Sequence, residues 1–135
     1  MELDERLLRY AARVVRLVTA LPNTLVGRRI GDQLLRSGTS VGANYEEARG
    51  AESRADFVHK LQIALKELRE SRYWLLLLAE AEVMPPATLH DLVDESTQLR
   101  AILSKAVATG KKSKGKGQRA KVGSGGDARR SPAAS

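Results

Sequence analysis

Four successive segments of this sequence repeat apolar residues at the helical spacings of three, four and seven, and proline or glycine separates each from the next. In the first, Leu3, Leu7, Tyr10, Val14, Leu17 and Leu21 make one stripe along a helix expected over about Leu3 to Thr19. Leu21-Pro22-Asn23-Thr24 breaks the rhythm, and Asn23 or Thr24 is placed to accept the first free amides of a second helix. That helix is expected to reach Arg49, with Val26, Ile30, Leu34, Val41 and Tyr45 on its apolar face. Gly50 suits the left-handed position that ends it. Ser53, with Asp56 three residues later, caps a third helix that nothing breaks from Arg54 to about Val83, a rod of roughly 45 Å. Its stripe is Phe57, Leu61, Ala64, Leu68, Leu75 and Leu78. Pro85 and Pro86 stop that rod and open a fourth helix carrying Leu89, Leu92, Ser96, Leu99, Leu103 and Ala106. Four amphipathic helices joined by short turns specify an all-α fold, an antiparallel up-down-up-down four-helix bundle.

Two stretches depart from ordinary bundle patterning. Gly27, Gly31, Gly38 and Gly42 cluster on one edge of the second helix, and each interior glycine opposes helix formation by about 1 kcal/mol relative to alanine. Their clustering implies compensation by close approach of another backbone; the alternative is a pair of short helices broken at Ser37-Gly38-Thr39-Ser40. The run Tyr73-Trp74-Leu75-Leu76-Leu77-Leu78 is apolar all round, more than one bundle core covers. Tyr73, Trp74, Leu76 and Leu77 are therefore the expected oligomer interface, against the simpler reading of a deep monomer core.

Charge divides the chain. Residues 110–135 hold eight bases and the single acid Asp127, which accounts for the whole net charge of +7, and residues 1–109 hold fifteen of each sign. The expected organisation is a bundle domain over 1–109 and a disordered basic tail over 110–135, too poor in apolar residues to offset its chain entropy. The absence of cysteine excludes disulfides, thiolate metal sites and cysteine nucleophiles. The acidic start and the lack of a long apolar run point to a cytoplasmic chain with no membrane role. A di-iron centre needs paired Glu-x-x-His motifs, whereas His59 follows Asp56 and His90 follows Ala87 at that offset. With no nucleophile setting and no phosphate loop either, the expectation is a non-enzyme without cofactor or metal.

On the first helix Arg6, Arg9, Arg13 and Arg16 form a second stripe beside the apolar one. It reads either as a solvated flank whose aliphatic stems cover the core edge or as an electrostatic track for a phosphate backbone.

The segment Gln33-Leu34-Leu35-Arg36-Ser37-Gly38-Thr39-Ser40-Val41-Gly42-Ala43-Asn44, then Glu47, Ala55-Asp56-Phe57 and Ile63 to Glu70, resembles the bacterial four helix bundle protein family. That family is also called the ribosomal-RNA intervening-sequence protein family, and its structural relatives include the accessory variability determinant of diversity-generating retroelements. The likeness spans roughly Leu17 to Val107, and its signature falls on Ser40, Val41, Asn44 and Glu47 of the second helix and Ala64 and Glu70 of the third. The resemblance implies a ring-shaped homopentamer; in the retroelement relative the assembly has a basic surface and works with nucleic acid and a reverse transcriptase. Asn44 and Glu70 read either as buried partners fixing helix register or as helix-end and surface residues.

Two functions follow as expectations. One is an oligomeric scaffold binding RNA or DNA with little sequence selectivity through Arg6, Arg9, Arg13, Arg16, Arg28, Arg29 and Arg36, reinforced by Lys111, Lys112, Lys114, Lys116, Arg119 and Lys121 of the tail. The other is a protein-interaction adaptor, a reverse transcriptase or another protein being its partner, in which the tail only solubilises.

Overall fold

The computed structural model describes residues 1–122, with side chains through residue 112. Four helices follow one another: α1 (Leu3–Thr19), α2 (Leu25–Arg49), α3 (Arg54–Glu80) and α4 (Pro86–Val122). Sequential helices pack side by side and α4 returns to α1, while the diagonal pairs make no backbone approach, so the chain closes an antiparallel bundle in chain order. Helix α4 is helical through the first part of the expected tail, and residues 123–135 of that tail lie outside the described residues. Gly110, expected to begin the tail, is buried, and a Cβ there would stand 2.9 Å from Val58 Cγ2.

The stripes read from the sequence form the core. Leu7, Tyr10 and Val14 of α1, Leu34 and Val41 of α2, Leu61, Leu68, Leu75 and Leu78 of α3 and Leu99 and Leu103 of α4 are fully or almost fully buried. Val26 is an exception at 50% exposure, because it lies in the first turn of α2 at the end of the bundle. Thr24 caps α2 by accepting from the Gly27 amide at 3.0 Å, and Ser53 caps α3 by accepting from the Asp56 amide at 3.0 Å.

Helix α2 is continuous through Ser37-Gly38-Thr39-Ser40, which disposes of the broken-helix alternative. The hydroxyls there turn back on the helix: Ser37 donates to the Gln33 carbonyl, Thr39 to that of Leu35 and Ser40 to that of Arg36. Their hydrogen bonds are thus met inside the helix rather than by a competing turn. The glycines let α1 come close. A Cβ on Gly38 would lie 2.9 Å from both Val14 methyls, and one on Gly31 would lie 3.2 Å from Leu21 Cδ1.

Gly50 does not take the left-handed conformation; its φ of −93° suits any residue. The left-handed position belongs instead to Glu82, at φ 57°, after the end of α3. There the Val83 amide donates to the Leu78 carbonyl at 3.0 Å and the Glu82 amide to that of Ala79 at 3.1 Å, the paired bonds of a Schellman end.

Candidate nucleic-acid interface

Helix periodicity places Arg6, Arg9, Arg13 and Arg16 along the edge of α1 that turns from the core toward α4. Arg6 is not free. Its Nε donates to Glu95 Oε2 at 3.1 Å and its Nη2 to Glu95 Oε1 at 2.8 Å, with a further bond from Nη2 to Gln98 Oε1 at 3.3 Å. This forked pair ties α1 to α4, and the hydrogen bond to Glu95 raises the guanidinium's pKa above its ordinary range. Arg9, Arg13 and Arg16 form no ion pair among the described residues, with Arg13 half-buried and the other two exposed.

Between α1 and α4 lies a cleft of about 520 Å³, lined by Met1, Arg6, Arg9, Tyr10, Arg13 and Glu95. Tyr10 is itself fully buried. Ser71 Oγ donates to the Leu68 carbonyl at 2.9 Å, so its contact of 2.8 Å with the Tyr10 hydroxyl has the tyrosine as donor. Burial, partly countered by the Ser71 bond and by the charges of Arg13 and Arg72, pushes the Tyr10 phenol up to about 12.

The arginines of α2 lie elsewhere. Arg36 pairs with Glu67 at 3.0 Å and with Glu70, both on α3, and accompanies Gln33 on its own helix. Arg28 donates to the Asn23 side chain at 3.0 Å, and Arg29 is exposed without an ion pair among the described residues. Because α1 and α3 are diagonal, the α1 stripe beside α4 and Arg36 beside α3 occupy opposite sides of the protomer. The seven arginines expected to line one surface are not one patch of a single chain. Of the tail bases, Lys111 and Lys112 are exposed, and the side chains of Lys114, Lys116, Arg119 and Lys121 lie outside those described.

Glu47 and Glu70 of the signature tie α2 to α3 through Lys60 and Arg36, whereas Ser40 and Asn44 bond within α2. Val41 and Ala64 are core residues, and Glu47 accepts from Lys60 at 2.6 Å. Asn44 and Glu70 are not partners. The Asn44 amide donates to the Ser40 carbonyl one turn back at 2.9 Å, and Glu70 receives Arg36 and, at 3.0 Å, the indole nitrogen of Trp74. Of the expected interface, Tyr73 is 58% and Leu76 39% exposed, whereas Trp74 and Leu77 are half-buried. A second set of exposed apolar side chains, Leu8, Val15 and Leu35, flanks the α1–α2 contact. Sequence reasoning missed this set; Leu8 and Val15, seven residues apart and off the core stripe, were the available signal. Among the described residues no three His, Asp or Glu side chains gather as a metal site, and no helix is long and apolar enough to cross a membrane.

The profile of the 23S rRNA-intervening sequence protein family matches residues 3–105. Among solved structures the chain is similar to a protein of unknown function from the S23 ribosomal protein family of Bacteroides thetaiotaomicron. The two share 40% identity and superpose with a TM-score of 0.74, the match covering 78% of this chain and 98% of that one. No curated protein matches significantly.

Proposed function

Since the chain belongs to the 23S rRNA-intervening sequence protein family, we propose that it is a non-enzymatic, cytoplasmic bundle protein that assembles into a homo-oligomeric ring and binds nucleic acid with little sequence selectivity. The observation that carries the reading is that Arg9, Arg13 and Arg16 have no ion-pair partner among the described residues, on the same helix edge where Arg6 is neutralised by a carboxylate. Unpaired guanidinium groups along a helix edge are what phosphates can use, and the eight bases of residues 110–135 add charge in every subunit of an oligomer.

Assembly draws support from two apolar sets on different helices. Tyr73 and Leu76 lie on α3, and Leu8, Val15 and Leu35 lie along the α1–α2 contact. Two unlike surfaces suit head-to-tail contact, which closes into a ring when the rotation per subunit allows; the family resemblance favours five.

A gel-shift series over salt tests the nucleic-acid reading. For the full chain the logarithm of affinity falls with the logarithm of salt, and replacing Arg9, Arg13 and Arg16 together by glutamine reduces that slope by about 2 to 3. Absence of a shifted species for both structured RNA and DNA at ~50 mM salt overturns the reading. The charge neutrality of residues 1–109 favours the alternative of a protein-interaction adaptor. A stoichiometric protein partner recovered from nuclease-treated lysate, with no shift in the gel, selects it.

A further inference from the structure

We propose that the cleft between α1 and α4 is a seat for a single phosphoryl group, gripped by Arg9 and Arg13. It deepens the nucleic-acid reading, and rests on it only for what carries the phosphate.

Three observations converge on this site. First, the cleft's one acid is already satisfied, because Arg6 meets both oxygens of Glu95. The pair leaves Arg9 and Arg13 as the side-chain charges of the lining that no carboxylate neutralises among the described residues. Second, these two are four residues apart on one helix, so their side chains lie one above the other and their forks can close on one tetrahedral anion. Neither is hydrogen-bonded to a carboxylate among the described residues, and Arg13 is half-buried in that condition. An unpaired guanidinium beside an open cleft is free to make charge-assisted hydrogen bonds to a phosphate bound there.

Third, the cleft has a fixed floor. Tyr10 is fully buried beneath the cleft and its hydroxyl proton is committed to Ser71, so the floor is closed and offers no competing donor. A volume of about 520 Å³ takes a phosphoryl group with an attached sugar. Arg16 lines no part of the cleft, which separates this seat from a general attraction along the stripe.

Inorganic phosphate and pyrophosphate, titrated into the full chain at constant ionic strength, test the seat through the arginine Nε–H resonances. The expected result is a saturable shift confined to two arginines, weakened about tenfold by Arg13→Gln and by Arg9→Gln and less than about twofold by Arg16→Gln. A response that does not saturate, or one that Arg16→Gln weakens as much as Arg13→Gln, overturns the proposal. Unchanged helical circular dichroism of each variant shows that folding is not the cause. A short single-stranded RNA then identifies the carrier. If the same two variants weaken its retention, the phosphate is that of a nucleic-acid backbone. If phosphate saturates the cleft while RNA is not retained at all, the seat stands for a free phosphate or nucleotide and the nucleic-acid reading falls.

Discussion

Helix α1 lies against α2 through glycine and against α4 through arginine. On the α2 side, Gly31, Gly38 and Gly42 bring the backbones together over Val18, Val14 and Leu7, leaving no room for a cleft. On the α4 side the backbones rarely approach, and the contact is made by long side chains around an open cleft. Small residues allow dispersion contacts that vanish if the helices part, whereas long charged side chains reach across a gap and tolerate water. The first contact is therefore expected to hold the fold, and the second to be available for a ligand.

The strongest way to break the comparison is at the turn that starts the tight contact. A Cβ on Gly27 would sit 2.0 Å from the Pro22 carbonyl oxygen, a backbone atom with little freedom. Gly27→Ala is expected to destabilise by about 3 kcal/mol, read as a lower urea midpoint; an unchanged midpoint means that the turn yields and the contact is not rigid.

Alkaline pH attacks the floor of the loose contact. The Tyr10 phenol ionises near 12 in the folded chain and near its ordinary 10 when unfolded, so the native state holds the extra proton between those values. Its contribution to stability is full below pH 10 and is lost as pH rises toward about 12, a fall of roughly 2 to 3 kcal/mol. Tyr10→Phe should remove that part of the alkaline slope while costing about 1 kcal/mol at neutral pH through the Ser71 bond; chemical denaturation across pH 8 to 12 on both proteins measures it.

Glu95→Gln is expected to cost about 1 kcal/mol, since the Arg6 pair is only a fifth to a quarter exposed yet still reached by water. A loss as large as that of Gly27→Ala would mean that the arginine side also holds the fold.

The smallest effect has the opposite sign. At Gly42 a Cβ would meet Leu7 at ordinary van der Waals distance, 3.5 Å, so Gly42→Ala keeps the contact and gains helix propensity. A rise in stability of up to about 1 kcal/mol is expected in thermal melts, against a fall for Gly38→Ala, where the Val14 methyls are in the way.

Local features were legible because their physics is local. Thr24 and Ser53 cap the helices that follow them, as their spacing to Gly27 and Asp56 allows, and Pro86 opens α4. The glycine edge of α2 announced close approach, although only the packing distinguishes Gly27, which has no room, from Gly42, which has some. Gly50 misled, since a glycine permits the left-handed conformation without requiring it. Glu82 adopts that conformation because Val83 and the Leu78 carbonyl close the end of α3, a demand that its own residue type does not advertise.

The candidate site was legible by residue type and not by state. The sequence by itself determined the four helices, the apolar stripes and the location of the arginine edge, because periodicity and capping act within a few residues. Tertiary structure alone decided which of those arginines are spent. Arg6 finds Glu95 across 89 residues of chain, Arg36 finds Glu70 across 34, and Arg9 and Arg13 are left facing an open cleft. Charge pairing is settled by distance in space, which spacing along the chain does not encode.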